Sequence, residues 1–307
     1  MSEVISPAVL KRWIRSELRR RREAAKKDQK DAAKRLECAP SRISHLESGR
    51  NLPDRATVET LFGFYGCPEA IEPFWSRVKQ ADSGKQVDIA SDIDPGRFDL
   101  YAGLEEGATE KHGADLMALN GLVQVRGYSE PLLRFYDPDA SDEEIERRLH
   151  LRHLRGSALT RQDNPLRLWL VISQHLLLDN VGGPAVMRDQ LEHLLELSDL
   201  PNVDIQVLSP ENDDDDDETL RNPLRSKLPR LALLGGHRAV HGPFAILKFP
   251  IPEDPGLVYI DTAVKGIFFE ELDEIQRYEK IMNNLRAAAL SQAKSRRLID
   301  NLRKDIM

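Results

Sequence analysis

The sequence is poor in cysteine and in long apolar runs. Only two cysteines occur among 307 residues, too few for a disulfide scaffold or a cysteine-rich zinc site. No apolar run reaches the roughly 18 residues of a transmembrane helix, and the N-terminus lacks the hydrophobic centre of a signal peptide. We therefore expect a cytoplasmic protein without a membrane partner.

Enzyme signatures are also absent. The chain contains no Walker A loop, no G-x-S-x-G elbow, no H-E-x-x-H and no G-x-G-x-x-G. His150 and His153 have the spacing of metal ligands, but no third ligand accompanies them. The sequence thus predicts a protein that is not an enzyme, with no catalytic residue, no metal and no cofactor.

Charge is distributed unevenly along the chain. The formal net charge is −7, but residues 1–80 carry +6 and the remainder carries −13. A basic head on an acidic body is typical of a nucleic-acid-binding module joined to a different second domain. The sequence predicts a DNA-binding domain over 1–81, a linker over 82–94 and a regulatory or partner-binding domain over 95–307.

The basic segment is predicted to form five helices, with a helix-turn-helix motif at 29–48. The predicted helices span 8–27, 29–36, 40–48, about 54–65 and about 68–81. Asp28 is placed to cap the second helix, and Ala33, Ile43 and Leu46 are placed to pack the motif helices together. This packing turns the outer face of 40–48 toward solvent, where it can enter a major groove.

The motif resembles that of the lambda-repressor/Cro (XRE) family. The residues that match its pattern are Gln29, Ala33, Ile43, Ser44, Glu47, Gly49 and Pro53. The resemblance covers roughly residues 8–80. Glu37 stands where the family has a turn glycine, at a cost of about 1 kcal/mol for a left-handed backbone, and Ala39 replaces the usual Ser or Thr cap.

Roles on DNA follow by position. The candidate DNA-binding residues are Gln29, Ser41, Arg42, Ser44, His45, Ser48, Arg50 and Asn51. On the recognition helix Ser41, Arg42 and His45 are expected to meet base edges, and an arginine can bind guanine with two hydrogen bonds. The loop residues are expected at the DNA backbone. The resemblance implies a phosphate contact for Gln29 and an internal ion pair between Arg22 and Glu47.

The second part of the chain mixes helices and strands, which predicts an α+β domain. The predicted helices span 98–110, 141–160 and 185–198, with two more at the end of the chain. The predicted strands lie at 166–172, 203–207, 244–249 and 257–261. In the strand at 203–207, Asp204 and Gln206 alternate with apolar residues and are expected to face outward.

This part resembles the large C-terminal domain of the WhiJ/Scr-type regulators of actinomycetes. The run from Leu119 to Tyr128 carries the resemblance, and softer matches follow in the same order to about residue 300. Asn120 replaces a proline and Gln174 replaces an acidic residue of that class. The resemblance implies antitoxin-like binding of a small partner protein, often one encoded by an adjacent gene.

An acidic run at 212–218 includes five consecutive aspartates. It falls in a long connection, so we expect a mobile loop near 210–236. A solvated loop is one interpretation. The run could also imitate DNA phosphates and compete for the basic face of residues 1–55, or bind cations.

Three functions fit these features. The first is a transcriptional regulator that binds a palindromic operator as a homodimer through helix 40–48, under partner or effector control. The second is an antitoxin-like protein that mainly sequesters a small partner and binds DNA for autoregulation. The third is a small-molecule sensor whose pocket is lined by Tyr128, Trp169, Phe244 and Tyr259.

Overall fold

The computed structural model describes residues 5–83, 98–209, 242–262 and 266–306. The chain divides into two compact units, Met1–Ala108 with Phe249–Asp254, and Thr109–Lys248 with Pro255–Met307. The acidic run at 212–218 and most of the expected linker at 82–94 lie outside the described residues. In the described part, no helix is both long and apolar enough to span a membrane.

The first unit is helical. Its helices are α1 (Pro7–Ala24), α2 (Gln29–Arg35), α3 (Pro40–Glu47), α4 (Arg55–Tyr65), α5 (Ile71–Ser83) and α6 (Phe98–Glu106). Local sequence sets several of their ends. Asp28 and Asp31 form a reciprocal capping box at α2, and Gly66 ends α4 with a left-handed φ of 76°. The cap predicted at Asp28 is confirmed.

Arg12, on α1, is buried in the core of this unit. Its side chain is 3% exposed and forms an ion pair with Asp254, which is 2% exposed. The guanidinium also lies over the ring of Phe249, 4.5 Å from its centroid. A buried charge is tolerated because it is paired, and its partner comes from a segment distant in sequence.

The second unit is built on a six-stranded mixed sheet. Its strands are β1 (Glu110–Asp115), β2 (Arg167–Ser173), β3 (Val203–Leu208), β4 (Phe244–Lys248), β5 (Leu257–Asp261) and β6 (Gly266–Phe269). The order is β3-β2-β1-β4-β5-β6, with β1, β2 and β3 parallel and the other pairings antiparallel. Its helices are α7 (Arg126–Tyr136), α8 (Asp142–Gly156), α9 (Gln174–Leu178), α10 (Pro184–Leu197), α11 (Leu272–Ala288) and α12 (Gln292–Asp305). The predicted α+β class is confirmed.

Helix α11 covers one face of this sheet. Its buried Ile275, Met282 and Leu285 join apolar side chains of the central strands in one core cluster. Tyr278 packs against Phe244 with ring centroids 5.0 Å apart. The apolar side of α11 is therefore core in this unit, because it covers the apolar face of the strands.

Strand β1 was not predicted. The helix expected over 98–110 ends at Glu106, and Glu110 already belongs to the strand. The sequence did not indicate a strand here because most of its side chains are polar and Gly113 has none. Lys111, Gly113 and Asp115 lie on one face of the strand. Tertiary pairing with β2 and β4 buries it, and no local alternation marks it. Strand β6 was missed as well.

The expected outward position of Gln206 was wrong. The side chain is buried, where its Oε1 accepts the indole N–H of Trp169 at 2.8 Å and its amide donates to the carbonyl of Leu290 at 2.9 Å. A buried amide is stable only with such partners. The sheet face that carries Gln206 is covered by α11 and the turn that follows it.

A buried polar network supports the run from Leu119 to Tyr128. Asn120 Oδ1 accepts from Lys111 Nζ at 2.9 Å and from the Leu122 amide at 3.1 Å, and Asp115 accepts the Asn120 amide. Lys111 is fully buried. Burial raises the pKa of the Asp115 carboxyl to about 7, against the opposing effects of the Asn120 hydrogen bond and the Lys111 charge.

The raised pKa of Asp115 predicts a pH dependence of stability. In the folded unit the Asp115 carboxyl keeps its proton up to a pH of about 7, whereas in the unfolded chain it loses that proton near the ordinary pKa of 3.8. The free energy of unfolding is therefore expected to fall as pH rises from about 4 to about 7. Urea unfolding of the full chain, followed by far-UV circular dichroism across this range, measures the trend. The variant Asp115→Asn, which cannot ionise, is expected to flatten it. An unchanged slope in that variant would contradict the assignment.

Candidate nucleic-acid interface

The turn between α2 and α3 brings the two helices together. Glu37 adopts a left-handed backbone, with φ of 49°, although it lacks the glycine that favours this conformation. The Cys38 amide donates to the Ala33 carbonyl at 3.0 Å. Ala33 is buried beside the turn, and Ile43 and Leu46 are buried beneath α3. The small side chain of Ala33 permits this close approach, which leaves the opposite face of α3 free.

The free face of α3 carries the candidate base-reading residues. Ser41, Arg42 and Ser44 are exposed and His45 is partly exposed. Pro40 occupies the first position of the helix, and no side chain caps it at Ala39. A short polar helix with this exposure has the form of a recognition helix.

A buried carboxylate fixes α3 to the rest of the unit. Glu47 accepts from Arg22 Nε at 2.6 Å and from Arg22 Nη2 at 3.0 Å, which confirms the predicted ion pair. The Glu47 side chain is 6% exposed. Hydrogen bonding to Glu47 raises the pKa of Arg22, against the effect of burial. This two-bond pair joins the end of α1 to the end of α3.

Gln29 meets the same carboxylate. Its side-chain amide donates to Glu47 Oε2 at 2.8 Å, so Glu47 holds three hydrogen bonds from two residues. The structure thus places Gln29 at the start of α2, fixed by a contact inside the unit. The phosphate contact that the resemblance implies for Gln29 stays a prediction.

Arg42 points toward the start of α4. Its Nη2 donates to Asp54 Oδ2 at 3.3 Å and to Thr57 Oγ1 at 3.1 Å. Asp54 also caps α4 by accepting the Thr57 amide at 2.7 Å, and this hydrogen bond, more than the Arg42 charge, lowers the pKa of Asp54. Sequence reasoning missed this contact, although a cap at Asp54 is a recognisable signal.

The remaining candidates cluster after α3. Arg50 Nη1 lies 3.4 Å from His45 Nε2, and Ser48 Oγ donates to the His45 carbonyl at 3.2 Å. Asn51 is exposed beside them. An open cavity of about 520 Å³ adjoins this cluster, and it is lined by Arg42, Leu46, Arg50, Asn51, Leu52, Pro53, Asp54 and Asp82. The structure therefore gathers Ser48, Arg50 and Asn51 around His45 at the C-terminal end of α3. Arg42 lines the same cavity from the first turn of the helix.

The four aromatic residues considered for a sensor pocket are engaged in packing. Tyr128 is 1% exposed and Phe244 belongs to the sheet core. Tyr259 packs against Phe268 with ring centroids 5.1 Å apart. The indole N–H of Trp169 is bonded to a neighbouring strand, as described above.

Two regions of the chain match known family models. A model described as Domain of unknown function (DUF5753) matches residues 98–218 and 231–301, more than half of the chain. A model described as Helix-turn-helix domain matches residues 13–72, which contain α2, α3 and the turn between them. No curated protein and no solved structure matches the chain. Residues 13–72 are therefore a DNA-binding helix-turn-helix domain.

The buried ion pair predicts a large stability effect. Glu47→Gln is expected to lower the free energy of unfolding of the first unit by about 3 kcal/mol or more, because it leaves the Arg22 charge buried without its partner. Trp13, in the core of this unit, offers a fluorescence signal for urea unfolding. The matched control is Glu23→Gln, since Glu23 also contacts Arg22 but is 48% exposed. Equal effects of the two changes would contradict the role of Glu47.

Proposed function

Because the chain belongs to the family of the domain of unknown function DUF5753 and carries a helix-turn-helix domain ahead of it, we propose that it is a sequence-specific transcriptional regulator that reads operator DNA through α3. The observation that carries the proposal is that α3 exposes a polar face while its opposite face is buried. Ser41, Arg42 and His45 occupy that face, and Glu47 anchors the helix from behind.

Base recognition and charge support each other in this proposal. The net charge of +6 on residues 1–80 favours approach to the phosphate backbone, a contribution that does not depend on sequence. Donors on α3 then supply the contacts to base edges. Arg42 is held beside Asp54 and Thr57 in the free protein, and it exchanges these partners for DNA on binding.

The operator is palindromic in this proposal and the protein binds it as a homodimer. One recognition helix covers only a few base pairs, so useful affinity requires two, on half-sites about one helical turn apart. The DUF5753 region then controls activity through a partner or an effector.

A second candidate is an antitoxin-like role in which a small partner protein is sequestered by the second unit. Two adjacent aromatic side chains at the end of α7 favour it, since Phe135 is 78% exposed and Tyr136 is 69% exposed. Exposed aromatic pairs are typical of protein-binding surfaces. Co-purification of the small protein from the adjacent gene with wild type, but not with a Phe135→Ser, Tyr136→Ser variant, would favour this role over a purely regulatory one.

The proposal predicts a DNA-binding defect with an intact fold. Arg42→Ala and His45→Ala are each expected to reduce discrimination between the DNA upstream of the gene and a scrambled duplex, by about 5-fold to 150-fold if a base contact of about 1–3 kcal/mol is lost. Fluorescence anisotropy at two salt concentrations measures both affinities. Circular dichroism checks the fold.

Arg55→Ala is the matched control, since Arg55 is an exposed arginine on α4 whose side chain pairs with Glu59 and Glu72. It is expected to keep wild-type discrimination. Discrimination that survives in both α3 variants would overturn the assignment of α3. Equal binding of the two duplexes by wild type, lost at higher salt, would mean phosphate contacts alone.

A further inference from the structure

Two side-chain nitrogens of Arg286, on α11, are buried without a hydrogen-bond acceptor in the described structure. Its Nε and Nη2 are shielded from solvent and make no hydrogen bond within the described part of the chain. Burial lowers the pKa of this guanidinium below its ordinary value. Buried donors without acceptors are costly and rare, and they mark places where a group outside the described structure belongs.

Trp169 holds the guanidinium in one plane. Arg286 stacks over the indole ring at 3.9 Å from its centroid. The ring is itself fixed, because its N–H donates to Gln206, and the Gln206 amide donates to carbonyls at the end of α11. The arginine is therefore presented rigidly on the sheet, and its orientation is set by neighbours that are already satisfied.

The two acidic residues near Arg286, Glu110 and Asp204, contact other side chains. Across the strands, His112 pairs with Trp169 and Trp169 pairs with Asp204, so all three lie in one row of the sheet. Glu110 lies 3.2 Å from His112 Nε2, and Asp204 accepts from Gln292. Both acids are close enough to raise the pKa of Arg286, yet neither forms an ion pair with it in the described structure.

We propose that Arg286 and Trp169 form an oxyanion site that binds the carboxylate or phosphate group of a small molecule. The two unpartnered nitrogens form one edge of the guanidinium, which matches two oxygens of such a group in a bidentate pair. Arg286, Trp169 and Glu110 are each partly exposed, so rotation of the Glu110 side chain opens this edge while Trp169 keeps the guanidinium in its plane. Of the four aromatic residues considered from the sequence, the proposed site uses only Trp169.

Titration of the full chain with sodium benzoate and with inorganic phosphate, at constant ionic strength, tests the proposal. Tryptophan fluorescence and the melting temperature are the two readouts. Wild type is expected to show a saturable change with at least one anion, and the anion that binds identifies the group. Arg286→Lys keeps the charge but loses the bidentate edge, so its affinity is expected to be at least about tenfold weaker, as loss of one charged hydrogen bond implies.

Two further variants make the outcome decisive. Arg277→Lys is the control, because Arg277 lies on the same helix with its side chain 78% exposed and is expected to bind like wild type. Glu110→Gln removes a competing carboxylate and is expected to bind more tightly, which serves if Arg286→Lys does not fold. A response that does not saturate, or that is equal in all variants, would overturn the proposal. DNA binding is measured separately, so neither outcome decides the proposed function.

Discussion

The pairing of Arg22 with Glu47 is the interaction on which the DNA-binding unit depends. Both side chains are almost fully buried, and removal from water would be prohibitive for either charge alone. Two hydrogen bonds between them join the end of α1 to the end of α3, and Gln29 adds α2 to the same carboxylate. The proposed recognition face of α3 is held in position because the opposite side of the helix is joined to α1 and α2 through this carboxylate.

The same constraint operates elsewhere in the chain. Arg12 is buried with Asp254 in the first unit, and Lys111 is buried with Asn120 and Asp115 in the second. In each case a charged group enters the interior only where a partner receives it. Arg286 departs from this rule within the described structure, and its two unpartnered nitrogens therefore suggest a ligand rather than a packing role.

Much of the fold was predictable where local sequence decides structure. Asp28 caps α2, Ser141 caps α8, and the turn at Glu37 takes the left-handed backbone that its position requires. The α2–α3 motif followed from a small residue and two apolar anchors at fixed spacing. The alternation of apolar and polar residues predicted the strand at 203–207. It did not predict the burial of Gln206, because a sequence pattern shows the polarity of a residue and not which element covers it.

The sequence by itself determined the helix-turn-helix, the α+β class of the second part and the candidate residues on α3, because capping, periodicity and spacing are local properties. Only the tertiary structure decided that polar β1 is a central strand, that Arg12 has a buried partner at Asp254, and that Arg42 contacts Asp54 and Thr57. It alone placed Arg286 on Trp169. These features arise from contacts between distant segments, and the burial of a polar group depends on partners that local sequence does not specify.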